Sequence, residues 1–187
     1  MSTEFPNDLV FVPLGGTEEI GMNFNLYGLR SASHEDWIIV DLGITFGDDT
    51  MPGVEIVVPD ASFAQEKREY LHGIILTHGH EDHLGAVPYL WDQLRCPVYA
   101  TPFTAALLRK KIHENTGKSD CEIIEVPLKG KFDIGPFSVE LLSLTHSMPE
   151  PNGLAIRTNF VTIFHTGDWK FDPQPVIGEI SDLSLIH

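Results

Sequence analysis

Four strong metal-ligating side chains crowd one short stretch, Thr77-His78-Gly79-His80-Glu81-Asp82-His83. Imidazoles packed as closely as His78, His80 and His83 would repel one another if protonated. A bound cation removes that repulsion, because a ligating histidine is neutral. In extended chain, residues i and i+2 point to the same side, so His78 and His80 can chelate one ion together. Asp82 and His83 fall where the chain turns into a helix, which lets them face a second ion close by.

Three further segments carry candidate ligands at the ends of apolar runs: Leu142-Ser143-Leu144-Thr145-His146-Ser147, Phe164-His165-Thr166-Gly167-Asp168-Trp169-Lys170, and Val40-Asp41-Leu42-Gly43. Loops at strand ends are where sheet-based enzymes mount their sites. His146 would bring the first ion to three imidazoles and leave an open position for water, as catalytic sites do. Asp168, with two carboxylate oxygens, could bridge both ions. Two ions roughly 3.5–4 Å apart activate a shared hydroxide and stabilise attacking and leaving oxygens. His165 reads as a strand residue beside the site, and His34, His72 and His113 as surface histidines. Trp37 and Trp91 read as core, while Trp169 reads equally as cleft lining or core. Gly15-Gly16 is not followed by GxGxxG, so it reads as a tight backbone approach near the ligand loop.

The ligand loop must be positioned by an apolar strand before it, Gly73 to Thr77, and a helix after it, about Ala86 to Leu94, with Pro88 tolerated in the first turn. Further strands are expected at Leu9 to Leu14, Asn23 to Leu29, Trp37 to Val40, Val98 to Ala100, Ile123 to Val126, Phe137 to Leu144, Leu154 to Arg157 and Phe160 to His165. Helices are expected over Ser62 to Tyr70, with Ser62 as N-cap, and from Thr101-Pro102 to about His113, with Thr101 as N-cap. Residues 31–36 read as a polar turn and 41–60 as a long functional loop. Gly130, Gly135-Pro136 and Pro151-Asn152-Gly153 read as punctuation. The order predicts mixed sheets with helices on outer faces, an α/β or α+β sandwich.

A chain of 187 residues with 42% hydrophobic side chains suits one domain with a real core. No apolar run is long enough for a membrane span, and the N-terminus has no signal-peptide pattern. Cys96 and Cys121 form no CxxC pair and read as thiols in a reducing cytoplasm, which is the expected location. The net charge of −15 argues against non-specific nucleic-acid affinity, which Lys and Arg supply. The one basic cluster, Arg109-Lys110-Lys111, reads as a solvated helix face.

His-x-His-x-Asp-His, a later lone His and an Asp after Gly resemble the metallo-β-lactamase superfamily. Leu14-Gly15-Gly16-Thr17-Glu18-Glu19-Ile20-Gly21-Met22-Asn23, Thr77 to Ala86, His146-Ser147-Met148-Pro149-Glu150 and His165 to Lys170 together resemble the bacterial ribonuclease J family, in the β-CASP branch. The resemblance implies the N-terminal portion of an α/β, αββα sandwich. It implies a metal-dependent ribonuclease that processes and degrades RNA, rRNA included, as exonuclease or endonuclease. Its partners would be 5′-monophosphorylated RNA or internal RNA sites, with no membrane. His78, His80 and His146 would hold the first divalent ion, Asp82 and His83 the second, and Asp168 would bridge. Zinc is the first choice of ion and manganese is compatible. Asp82 would orient the nucleophile, with His83 beside it. Asp41 would support the ligand loop, and Ser147 would reach substrate phosphate or cap its own loop.

Residues 1–187 would then be an incomplete metallo-β-lactamase-like domain, without the β-CASP domain and the C-terminal return that brings the family's last ligand histidine. His187 does not match that ligand. The end at Leu183-Ser184-Leu185-Ile186-His187 reads as that of a fragment or truncated gene product, whose uncovered apolar surface would self-associate. A small-molecule metallohydrolase acting on a lactone, thioester or β-lactam, and a non-catalytic metal- or partner-binding fragment, stand as alternatives.

Overall fold

The computed structural model describes residues 8–116, 120–178 and 180–181. His187 and the apolar segment before it lie outside the described residues. Strands β1 (Asp8–Gly15), β2 (Phe24–Arg30) and β3 (Glu35–Val40) form an antiparallel meander. A two-stranded ribbon, β4 (Thr45–Phe46) and β5 (Ile56–Val57), follows inside the long loop. Helix α1 (Ser62–Glu66) and a 3-10 turn at Arg68–Tyr70 then lead to β6 (Leu71–Ile75), which lies parallel to β3. The ligand loop follows β6 and runs into α2 (Glu81–Leu84) and α3 (Val87–Leu94). Strand β7 (Val98–Ala100), helix α4 (Pro102–Thr116) and β8 (Ile123–Glu125) complete a six-stranded sheet of order β1-β2-β3-β6-β7-β8. Strands β9 (Lys131–Ile134), β10 (Phe137–Ser143), β11 (Asn152–Arg157) and β12 (Thr162–His165) form a second, antiparallel sheet of order β12-β11-β10-β9.

The pleat explains the layers. On β3, Trp37 and Ile39 face one core, shared with Ala64, Leu84, Val87, Leu90 and Leu108 of the helices. Ile38 and Val40 face the other, shared with Val139, Leu141, Leu154 and Ile156 of the second sheet. A strand buried on both faces reads as a continuous apolar run, as Trp37 to Val40 does. Each fully buried Ile, Leu or Val contributes about 1.5–3 kcal/mol. The described layers are therefore helices, sheet and sheet, an α/β sandwich in which β6 is central. Its C-terminal end, with those of β10 and β12, opens on one rim.

Several boundaries differ from the sequence expectation. β3 starts at Glu35, inside the expected turn, because Glu35 and Asp36 pair with Arg30 and Leu29. The residue ahead of α1 is Ala61, not Ser62. Asp60 Oδ1 accepts from both the N–H (2.8 Å) and the hydroxyl (2.5 Å) of Ser62, so the carboxylate takes the capping role. The Thr101 hydroxyl bonds Thr104, and the Phe103 N–H of α4 is instead accepted by Glu150 Oε2 at 2.9 Å. β9 was not expected at all; its alternation is short and visible only through its pairing with β10. Asn152 and Gly153 belong to β11 rather than to a turn, held by pairing with Ser143 and Leu142. Phe160 lies in the turn before β12, and α4 runs a turn past His113.

Trp37 is buried as expected. Trp91 is only partly buried and donates to the Cys96 carbonyl at 2.7 Å. Trp169 is 53% exposed, which rules out the core reading. His34 and His72 both reach Asp36, at 3.2 and 2.7 Å, and His113 is exposed. Burial pushes the thiols of Cys96 and Cys121 up to about 12, so neither is a ready nucleophile. Among the described residues no helix is long and apolar enough to cross a membrane.

Candidate metal centre

Two groups of ligating atoms form on the rim where β6, β10 and β12 end. In the first, ring nitrogens of His78, His80 and His146 lie within 4.8 Å of one another. His80 Nδ1 stands 2.9 Å from His78 Nε2 and 3.1 Å from His146 Nε2. In the second, His78, His83 and Asp168 satisfy the same limit. His83 Nε2 lies 3.5 Å from Asp168 Oδ1 and 3.4 Å from Asp82 Oδ2. The other oxygen of Asp168, Oδ2, lies 3.7 Å from His146 Nε2. Asp168 thus turns one oxygen toward each group, and the His78 ring touches both, 4.1 Å centroid to centroid from His83 and 5.1 Å from His146.

The ligand loop is held from behind by Asp41. This carboxylate is fully buried and takes the Thr77 N–H at 2.8 Å, the Thr77 hydroxyl at 2.9 Å and His83 Nδ1 at 2.8 Å. Since the Thr77 hydroxyl gives its proton to Asp41, its oxygen accepts from His78 Nδ1 at 3.0 Å. Both histidines therefore carry their supporting hydrogen on Nδ1 and present Nε2 to the rim. An imidazole's second nitrogen is commonly used this way behind a metal. Asp41 has φ of +63°, a left-handed backbone that costs a non-glycine residue about 1–3 kcal/mol. Backbone bonds from Asp41 to Ile75, Leu42 to His83 and Ile44 to Glu81 secure that geometry.

Electrostatics follow burial. Burial alone would lower His83, yet the Asp41 carboxylate, with Asp168 and Asp82, pushes it up to about 12. Burial, reinforced by the His83 charge, lowers His78 to about 3. Asp168 is lowered to about 2, mainly by its hydrogen bond from His83. Burial and neighbouring His80 also lower His146. The carboxylates thus favour positive charge at His83, while burial disfavours it at His78 and His146.

A divalent cation fits this donor set. Ligand atoms around an ion at ~2.0–2.1 Å stand ~3 Å apart, which is the spacing of His80 Nδ1 from the His78 and His146 Nε2 atoms. A trio of nitrogens aimed at one another has too few hydrogens to satisfy every lone pair, whereas an ion satisfies all three. The carboxylates and imidazoles of the second group suit a borderline or hard cation.

Ser147 is exposed and lines a shallow depression of about 190 Å³ beside His146, with Met148, Lys170 and Val176. It belongs to neither ligand group. His165 is no ligand; its Nδ1 meets the Tyr27 hydroxyl at 2.9 Å across the two sheets. The basic cluster is engaged within the chain: Arg109 with Glu125, Lys110 with Glu114, and Lys111 with Glu81 beside the ligand loop. Three contributors had no individual signal in the sequence. Asn23 lies 3.1 Å from His83 Nε2, Asn152 bonds the Thr77 carbonyl, and Glu150 ties the His146 loop to α4. Only the position of Asn23 at the end of the Gly-Gly motif marked it.

Comparison with known proteins identifies the family. The family model described as "Beta-lactamase superfamily domain" matches residues 37–186. Ribonuclease J of Sinorhizobium meliloti is 48% identical over 177 residues, covering 95% of this chain and 31% of that protein. Ribonuclease J 1 of Streptococcus pyogenes is 38% identical, covering 95% and 31%. Ribonuclease J of Thermus thermophilus is 35% identical, covering 97% and 32%. The chain thus spans about a third of the length of these relatives. Among solved structures, the metallo-beta-lactamase fold protein YhfI of Bacillus subtilis superposes with a TM-score of 0.60 at 17% identity, covering 91% of this chain and 65% of that one.

Proposed function

The chain belongs to the beta-lactamase superfamily, and from that premise we propose that it is the N-terminal catalytic portion of a metal-dependent ribonuclease. The observation that carries the reading is the convergence of His78, His80 and His146 on one point and of His83 and Asp82 beside it, with one Asp168 oxygen turned to each. The relatives named Ribonuclease J support RNA as the substrate class.

In this reading His78, His80 and His146 would hold one divalent ion, Asp82 and His83 a second, and Asp168 would contribute to both. Such ions supply Lewis acidity toward phosphoryl oxygens and a nucleophile from water at neutral pH. The chain's own part is positioning. Asp41 fixes the ring of His83, Thr77 fixes that of His78, and the partly exposed Asp82 would orient the attacking water. Ser147, at the edge of the depression beside His146, is the candidate contact to a substrate phosphate. Zinc suits the three imidazoles, and manganese suits the carboxylate side. The substrate is 5′-monophosphorylated RNA or an internal RNA site, and the work is cytoplasmic RNA processing. Residues 1–187 would form part of one metallo-β-lactamase-like domain, the family model matching residues 37–186.

The acidity of the chain favours a second reading, hydrolysis of a lactone or thioester on the same fold. Purified protein given 5′-monophosphorylated RNA with zinc or manganese tests the two. RNA cleavage that a chelator abolishes is expected. Lactone or thioester hydrolysis without RNA cleavage would favour the second reading and overturn the first.

A further inference from the structure

The Gly15-Gly16 to Asn23 motif supplies no ligand to either group, yet it ends against both Asp82 and His83. The Asn23 backbone N–H donates to the Asp82 carbonyl at 2.9 Å, and the Asn23 carbonyl accepts from Gly43 at 2.9 Å. Its side-chain Nδ2 lies 3.1 Å from His83 Nε2 and 3.4 Å from Asp82 Oδ2. The rest of the motif leaves this side chain little room to move. A Cβ on Gly16 would stand 2.6 Å from Asn23 Oδ1, and one on Gly15 would stand 2.0 Å from the Met22 carbonyl. Met22, at φ +48°, is tied by its N–H to Ile44 at 2.9 Å. A Cβ on Gly43 would collide with the Asp82 backbone at 1.7 Å, so the three segments can only pack at glycine distance.

Resting on the two-ion reading above, we propose that Asn23 is a positioning residue for the second cation, its carboxamide N–H being the donor that sets the Asp82 carboxylate. A cation on His83 Nε2 takes the lone pair there, so that nitrogen can no longer accept. The remaining acceptor in reach is Asp82 Oδ2. Asp82 Oδ2, 3.4 Å from His83 Nε2, is the oxygen that would share the ion with His83, and the Asn23 N–H would fix its direction. The Gly-Gly turn exists to press Asn23 into this place, which gives the motif a chemical role without a ligand.

The test compares the full chain with Asn23→Leu, which keeps the side chain's size and removes the donor, and Asn23→Ala, which removes both. Cobalt and zinc titrations by calorimetry, with the cobalt ligand-field spectrum, resolve the two ions. Loss of such a supporting bond weakens a metal by 10–100-fold. The expected result is that both variants bind the weaker ion at least ~10-fold less tightly, while the tighter ion changes less than about twofold. The melting midpoint of Asn23→Leu should stay near that of the unmodified chain. Unchanged binding of both ions, or equal weakening of both with a lowered melting midpoint, would overturn the proposal and leave the two-ion reading standing. A wild-type chain that takes up only one ion would overturn both.

Discussion

The two sides of the candidate site are built differently. The side formed by β6, α2 and the Asp41 turn is closed: the His83 and Asp41 side chains are 2% and 1% exposed. The side formed by the loops after β10 and β12 is open: His146 is 18% exposed and Asp168 45%. On the closed side His78 and His83 each have a buried partner, Thr77 and Asp41, that fixes the ring. On the open side Asp168 is held chiefly through the backbone, where Lys170 and Thr145 exchange bonds of 2.8 and 2.6 Å. The closed side is pre-organised before a cation arrives, and the open side is the one exposed to solvent. Rigid supporting shells are what hold catalytic groups in productive geometry.

Substitutions can break this contrast. His78→Ala has the largest expected effect, because it removes a ligand of the three-histidine ion and leaves a gap against the His83 ring, 4.1 Å away centroid to centroid. Metal analysis should find the three-histidine ion lost and the second ion weakened, whereas His80→Ala should lose only the three-histidine ion. Asp41→Ala comes next, since it strips the partner from a buried imidazole at 2.8 Å. Breaking a buried pair of this kind costs ~3–5 kcal/mol. A fall in melting temperature of several degrees in the metal-free chain, with weakened second-ion binding, is the expected readout.

Asp168→Ala sharpens the comparison, being the same residue type on the open side. It should weaken both ions while leaving the metal-free melting midpoint almost unchanged. A large destabilisation would show that the open side is as structural as the closed one. The smallest effect is expected from Glu150→Ala, which removes the acceptor at the start of α4 and loosens the His146 loop. Loss of a helix cap costs ~1 kcal/mol, and a drop of roughly 2–4 °C in the melting midpoint is expected for a chain of this size.

Local spacing made the closed side legible. His78, His80, Asp82 and His83 are neighbours in the chain, so extended geometry and the following helix bring their side chains together with little help. His146 and Asp168 could be placed as strand-end candidates, but their assignment to particular ions came through resemblance to a family. Asp41 was expected to support the loop, and the structure supplies the bonds through which it reaches Thr77 and His83. The pairing of Glu150 with α4, the capping by Asp60 and the strand β9 were not readable. Each depends on a partner outside its own segment, and a carboxylate, a loop Asp and four alternating residues look the same without that partner.

The sequence by itself determined the kind of chemistry: the donor types, their order, the double-sided apolar strands that carry them, and the family to which the chain belongs. Those properties are set by covalent order and by the period of strand and helix. Only the tertiary structure decided which atoms face which. It placed one oxygen of Asp168 toward each group, put Asp41 behind His83, and pressed Asn23 against Asp82. The reason is distance along the chain. Asn23 and His83 are 60 residues apart and Glu150 and Phe103 are 47. Such contacts arise only when segments distant in the chain pack over a shared core, and no local pattern records that packing.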